Sequence, residues 1–230
     1  MNRRNLLRTG ANLMAFSVVV LNAVPLHAET NAVPKDWQRE FASLLREIDR
    51  ARYDMSAREA QEAGFKALLN RTDALVKEFP KRAEPLVMRA FALQAHASIM
   101  GRGLGAMRTG AQAVEKLEEA IAIDPNVFAV STYTLLGSLY LAPAEVMPNF
   151  TGHKKSARTH LQKALALDAH GAEQNLGYAQ LLVLEKNYGE ALKYANAALQ
   201  APPRSDRGKA DADVRRRAQA VIEQAKVKLN

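Results

Sequence analysis

The stretch ALKYANAALQAPP, residues 191–203, decides the fold of this chain. It places small residues at Ala191 and Ala198, a large apolar residue at Leu199, and a proline at Pro203. Two antiparallel helices approach closely only where the facing positions are Ala, Gly or Ser, with large apolar side chains between them. We therefore predict that this stretch closes a helical hairpin. Its first helix carries the matching residues Tyr178, Ala179 and Leu182, and Tyr188 precedes the second.

The same pattern occurs twice more upstream in the chain. One copy reads Leu136, Gly137, Tyr140, Ala157, Ala164 and Leu165, and the other reads Ala90, Leu93, Ala113, Leu117, Ala120, Ile121 and Pro125. Ala157 and Ala191 are 34 residues apart, the length of a tetratricopeptide repeat, whereas the preceding interval of 44 residues predicts an inserted loop. The fold class is thus all-α, with tetratricopeptide-like hairpins in a short solenoid. Residues 65–80 are interpreted as the second helix of an earlier, degenerate unit.

Packing helices are expected at both ends of the solenoid. A helix over residues 36–52 carries Trp37, Phe41, Leu44, Leu45 and Ile48 on one face. A second helix is predicted to begin at Ser56, which with Glu59 has the form of a capping box. The last helix, residues 210–229, is expected to cover the apolar face of the final repeat, with Val214, Ala218, Val221, Ile222 and Ala225 on its inner stripe.

The N-terminus has the pattern of an export signal. Arg3, Arg4 and Arg8 precede an apolar stretch over residues 13–26, and Leu26-His27-Ala28 resembles a cleavage site. We predict that residues 1–28 are the signal peptide and residues 29–230 the repeat domain. The apolar stretch is too short for a stable membrane span. The twin-arginine route and the general secretory route both remain open.

The charge of the chain and its lack of cysteine limit the kinds of partner and the cell compartment that we expect. The formal net charge of +8 falls to +5 without residues 1–28, and no aromatic residues are interleaved with the remaining basic ones, so nucleic acid is not expected as a partner. The chain has no cysteine, which excludes thiol catalysis and thiolate metal sites. We expect a periplasmic protein, and its Ala-rich helix faces leave homo-oligomerisation open.

No constellation for catalysis, metal binding or cofactor binding is recognisable. His96, His153, His160 and His170 are the histidines beyond the leader, and no carboxylate lies at ligand spacing between His153 and His160. There is no Gly-x-Ser-x-Gly elbow and no metalloprotease pair. We expect no catalytic residue, no metal and no cofactor, and therefore no enzyme.

Two segments resemble a bacterial exported family. Pro148-Asn149-Phe150-Thr151-Gly152, followed by Lys154-Lys155-Ser156-Ala157, is similar to its P-x-x-F-G-x-x-x-K-A loop. The tail, with Ala201-Pro202-Pro203-Arg204, Arg207, Ala210-Asp211 and Arg215-Arg216, is similar to its ending. The chain thereby resembles the T component (TatT) family associated with tripartite ATP-independent periplasmic (TRAP) transporters. The resemblance covers roughly residues 130–217. It implies a role as an accessory component of solute uptake.

A tetratricopeptide array binds through its concave surface, lined by the first helix of each hairpin. The register predicts Glu84, Val87, Phe91, Gln94, Ser131, Thr134, Ser138, Glu173, Leu176 and Gln180 as partner-binding residues on that surface. We expect a partner protein there, and a periplasmic solute-binding protein if the resemblance holds. The alternatives are a general envelope scaffold, or a binding module for a small hydrophobic ligand to which the inserted loop contributes Pro148, Phe150 and Gly152.

Overall fold

Helices make up the regular structure of the described residues, which are 35–101, 103–142 and 153–230 of a computed structural model. Their bounds are α1 (Trp37–Tyr53), α2 (Arg58–Glu78), α3 (Ala83–Ile99), α4 (Leu104–Ile123), α5 (Ala129–Leu139), α6 (Lys154–Leu167), α7 (Ala172–Leu184), α8 (Tyr188–Gln200) and α9 (Gly208–Leu229). No strand occurs within these ranges. The all-α prediction is confirmed. The signal peptide, residues 1–28, and the loop residues Pro148, Phe150 and Gly152 lie outside the described ranges.

Three helical hairpins form the body of the unit Asp36–Asn230, as the repeated pattern predicted. They are α3–α4, α5–α6 and α7–α8. The small residues of the pattern are all nearly inaccessible to solvent. These residues are Ala90, Ala113, Ala120, Ala157, Ala164, Ala179, Ala191 and Ala198. Each interhelical contact therefore depends on the lack of a large side chain at these positions.

Leu161 of α6 connects two neighbouring hairpins. Its side chain is fully buried and packs against Gly137 of α5 and Gly177 of α7. A Cβ atom at Gly137 would lie 2.6 Å from the Leu161 Cγ atom, and one at Gly177 would lie 2.8 Å from Leu161 Cδ2. Neither glycine has a positive φ, so space rather than backbone conformation requires glycine here.

The N-terminal helices confirm the predicted apolar face of α1 and correct the predicted start of α2. Phe41 of α1 stacks on Phe128 and meets Phe91 edge to face, with ring centroids 4.3 and 5.1 Å apart. α2 begins at Arg58 with Ala57 as its N-cap, and no side chain caps it, so the capping box expected at Ser56 is wrong. The backbone of Ala57 is extended, so Ala57 and not Ser56 is the last residue before the helix. Most of residues 65–80, interpreted as the second helix of a degenerate unit, lie in α2, which continues through Gly64 and ends at Glu78.

α9 covers the last hairpin, as predicted. Its stripe Val214, Ala218, Val221, Ile222 and Ala225 is buried, and most of this stripe joins a second apolar cluster with Leu176 and Ala195. The turn before α9 is fixed by Arg204, which donates from its backbone N and from its side chain to Asp211 and also to Glu173 of α7. Within the described residues, no helix is long and apolar enough to span a membrane.

We predict that Gly137→Ala destabilises the protein by about 1–3 kcal/mol, because the new methyl group overpacks against Leu161, whose backbone N would be only 3.2 Å away. Urea denaturation followed by circular dichroism measures the change. Gly189→Ala is the matched control, since a Cβ there meets nothing within 4 Å and Ala favours the helix by about 1 kcal/mol. Equal stability of the two variants would contradict the role of Leu161.

Candidate functional site

The inner side of the hairpins encloses a cavity of about 500 Å³, which we call the inner cavity. Its floor is formed by the first helices of the three hairpins, through residues such as Phe91 of α3, Thr134 of α5 and Leu176 of α7. α1 adds Ile48 and Asp49 among others to the lining, and α9 with its preceding turn adds Arg207 and Val214. The concave surface is therefore lined by the first helices of the hairpins and also by α1 and α9.

Most of the predicted partner-binding residues lie together in this space. Those lining the inner cavity are Phe91, Gln94, Ser131, Thr134, Ser138, Glu173, Leu176 and Gln180. Glu84 and Val87 are not among the lining residues. Val87 is fully buried in the core, and Glu84 accepts hydrogen bonds from Arg82 at the start of α3. The first turn of α3 thus belongs to the core and not to the concave surface.

A salt bridge between the two ends of the described chain closes the cavity. Arg207, just before α9, donates from Nε and Nη2 to the two carboxylate oxygens of Asp49 on α1, at 2.7 and 2.9 Å. Both side chains are about five-sixths buried, at 17% and 15% exposure. This bidentate geometry is the strongest form of an arginine–carboxylate pair. Two further pairs, Lys209–Asp54 and Arg46–Asp206, lie exposed beside it. We call these three pairs the clasp.

A second ionic network, formed by Arg204 with Glu173 and Asp211, lies next to the clasp in the chain. Asp211 has a side chain that is 4% exposed and accepts from the backbone N, Nε and Nη2 of Arg204. Burial alone would raise the pKa of this carboxyl, but the hydrogen bonds and charge of Arg204 hold the pKa of Asp211 below its usual value. Arg204 also reaches Glu173 at 2.8 Å, which fixes the turn before α9 to the start of α7. Arg207 is thereby positioned to meet Asp49.

The tail segment that resembles the TRAP-associated family forms these two networks. Arg204 and Asp211 bind each other, Arg207 binds Asp49, and Arg215 donates to the carbonyl of Ala201. Ala210 is buried. These side chains therefore help to attach α9.

The sequence did not predict the walls that α1 and α9 contribute. Asp49 and Arg207 are 158 positions apart, and no local pattern links them. The available signal was a charged pair directly after the apolar residues of α1: Asp49 follows Ile48, and Arg52 follows the buried Ala51. Charged residues that border a buried stripe need partners. Asp49 binds Arg207 near the other end of the described chain, whereas Arg52 donates to Ser98 on α3.

His160 lies away from the cavity, stacked between two tyrosines. Its ring centroid is 5.8 Å from that of Tyr133 and 5.8 Å from that of Tyr140. Burial lowers the pKa of His160, although the carboxylate of Glu118 nearby opposes the shift. The hydroxyl group of Tyr140 donates a hydrogen bond to the carboxylate of Glu118. Within residues 35–101, 103–142 and 153–230, no three His, Asp or Glu side chains form a group that could hold a metal ion.

The fold is shared with a solved structure. No protein-family model and no curated protein matches the sequence. The chain is similar to the crystal structure of TTC0263, a thermophilic tetratricopeptide-repeat (TPR) protein of Thermus thermophilus, at 19% identity and a TM-score of 0.52, over 81% of this chain and 99% of that one. It is also similar to the crystal structure of MamA, at 16% identity and a TM-score of 0.45, over 72% and 89%. The similarity to TTC0263 shows a TPR-type fold, the class that the repeat pattern predicted.

We predict that the Asp49–Arg207 pair couples the two ends of the described chain energetically. Each single replacement by Ala leaves a largely buried charge without its partner. The losses in the free energy of unfolding of the two single variants should therefore sum to about 1–3 kcal/mol more than the loss of the double variant. Urea unfolding of the four species of this double-mutant cycle measures it.

Lys209–Asp54 is the matched control, because its side chains are 67% and 48% exposed. Exposed pairs contribute about 0–1 kcal/mol, so its cycle should show a much smaller interaction. If the Asp49–Arg207 cycle gave an interaction no larger than that of the exposed pair, the closing role of this bond would be wrong.

Proposed function

We propose that this chain is an exported, non-enzymatic helical-repeat protein that binds a small ligand in the inner cavity. The volume of this cavity, about 500 Å³, carries the proposal. Pockets that hold small molecules span about 300–1,000 Å³ and combine apolar walls with a few polar groups. The inner cavity has this composition: Phe91, Ile48 and Leu176 provide apolar surface, and Ser131 and Gln94 provide hydrogen-bonding groups.

A long peptide fits this space less well. α1 and the turn before α9 both line the cavity and are joined by the Asp49–Arg207 pair, which shortens the surface along which an extended peptide could lie. Of the two hypotheses drawn from the sequence, the geometry therefore favours the small-ligand module at the concave surface.

The periplasm is the compartment that we propose for this function. The support is the leader pattern of residues 1–28, with its three arginines, apolar stretch and small residue at the cleavage position. A cysteine-free helical domain is compatible with an oxidising compartment, because its fold needs no disulfide. Fractionation of cells that express the full chain, with N-terminal sequencing of the mature protein, tests both the location and the cleavage site.

We predict that a ligand purifies with the mature protein and that Ser131→Trp removes it. Ser131 lies half-buried in the cavity floor on α5, and an indole there fills space that the ligand needs. Comparison of the intact mass under native and denaturing conditions measures the bound ligand. The expected result is an additional mass on the native wild-type protein that is absent from the variant.

Ser205→Trp serves as the control for the added indole, because Ser205 is exposed in the turn before α9 and does not line the cavity. It should retain the ligand. A native mass equal to the denatured mass in protein taken directly from its own periplasm would count against a small-ligand function, as would retention of the ligand by Ser131→Trp.

A partner protein is the second candidate, and the clasp favours it. The outer pairs Lys209–Asp54 and Arg46–Asp206 are exposed, and exposed pairs contribute little to stability. We call the surface around these two pairs the rim. A protein that binds at the rim can replace these ion pairs with its own at small cost. With the resemblance to the TRAP-associated T component, we propose a periplasmic solute-binding protein as that partner. The rim would then be the docking surface, and the cavity would face the partner.

Site-specific photo-cross-linking in intact periplasm tests this second candidate. A cross-linker at Asp206 on the rim should capture a solute-binding protein, whereas one at Gln162, exposed on α6, should not. Capture at both positions would indicate non-specific contact. Absence of any partner above background at Asp206 would remove the support for an uptake role.

A further inference from the structure

The charges that line the inner cavity are almost all neutralised by neighbouring groups. Arg207 pairs with Asp49, and Arg204 pairs with Glu173 and Asp211. Asp213, on the side formed by α9, pairs with Arg216. Among the described residues, three further charged side chains line the cavity outside these networks: Arg52, Asp168 and Arg217.

Two of these three residues are compensated locally or are exposed. Asp168 accepts the backbone N–H of His170 just before α7, where the positive end of the helix dipole favours a carboxylate. Arg217 is exposed on α9 and donates to the side-chain oxygen of Gln180 at 3.4 Å. Neither presents an uncompensated charge to the interior of the cavity.

Arg52 is different, because it is half-buried at the end of α1 and makes no ion pair among the described residues. Its Nη2 donates to Ser98 Oγ at 2.8 Å, while its Nε–H is buried and has no acceptor. A buried donor without an acceptor costs about 1–3 kcal/mol, and the cost is larger for a charged group. The guanidinium carbon also lies 5.9 Å from the centroid of the Tyr53 ring. Because Nε is closed off and Arg52 lines the cavity, an acceptor from outside the chain would reach the guanidinium at its terminal nitrogens.

The backbone beneath Arg52 is held firmly in position. Gln61 of α2 donates from Nε2 to the carbonyl oxygens of Arg52 and Met55, at 3.3 and 2.8 Å. The guanidinium can therefore exchange its hydrogen bond with Ser98 for another acceptor without movement of α1. A carboxylate is the acceptor that matches a guanidinium best, because its two oxygens accept two parallel N–H bonds.

We propose that Arg52 binds the carboxylate of a small amphipathic acid whose apolar body lies in the inner cavity against Leu45, Phe91 and Leu135. This inference rests on the proposed small-ligand function and names its ligand class. The acid neutralises the one interior charge that the described part of the protein leaves uncompensated. Its hydrocarbon part covers the apolar floor, so a carboxylate without such a body binds weakly.

The test uses the mature protein after removal of any bound ligand by refolding from urea. Hexanoate, octanoate, phenylacetate and 1-naphthaleneacetate are compared with their neutral primary amides by thermal shift and titration calorimetry. We expect at least one acid to bind and to raise Tm. Its amide should bind roughly 10- to 100-fold more weakly, since a hydrogen-bonded ion pair is replaced by a neutral contact.

Arg52→Gln should lower the affinity for that acid roughly 10- to 100-fold and leave the affinity for the amide nearly unchanged. Arg52→Lys keeps the charge without the two parallel donors and should give an intermediate affinity. Arg50→Gln is the matched control, since it removes an exposed cation from the same helix at a position that does not line the cavity, and it should bind the acid like the wild type. Circular dichroism and Tm of each ligand-free variant show that it is folded.

Several results would overturn the assignment. Equal binding of acid and amide, or equal binding by Arg52→Gln and the wild type, would refute the carboxylate site while leaving small-ligand binding intact. An equal loss in the Arg52 and Arg50 variants would indicate a general electrostatic effect and would refute the site. Binding of none of the acids would reject this inference, whereas the proposed small-ligand function is rejected only if no ligand purifies with the native protein.

Discussion

The packing of Leu161 against two glycines is the constraint on which the arrangement of the inner helices depends. Because Gly137 and Gly177 have no side chains, one leucine fills the space between α6 and both α5 and α7. The first helices of successive hairpins then lie side by side, and the Oγ atom of Ser138 comes within 3.3 Å of the Cβ position at Gly177. Ser138 and Gln180 consequently face the same cavity. Close packing in the core thus sets the geometry of the binding surface.

The repeats were predictable from the sequence because their contacts are local. Ala191 and Gly137 each contact a helix that is adjacent in the chain, so the pattern is readable within about 34 residues. The closure of the cavity was not predictable, because the Asp49–Arg207 bond joins positions without any shared pattern. Val87 shows a second limit: helical register placed it on the concave surface, but the packing of α1 and α2 against α3 buries it.

The tail of the chain shows side chains with a structural role. Arg204, Arg207 and Asp211 are each committed to an ion pair that attaches α9. The same attachment places α9 beside the inner cavity, which Arg52 and α5 also line.

The clasp also changes how this solenoid unfolds. In an ordinary repeat array each unit contacts only its neighbours, so terminal units fray independently and stability is nearly a sum of local terms. Here α1 also contacts α9, so neither end opens without breaking a bond to the other. Opening of either helix therefore also costs the buried Asp49–Arg207 bond, a term that a terminal unit of an open array lacks.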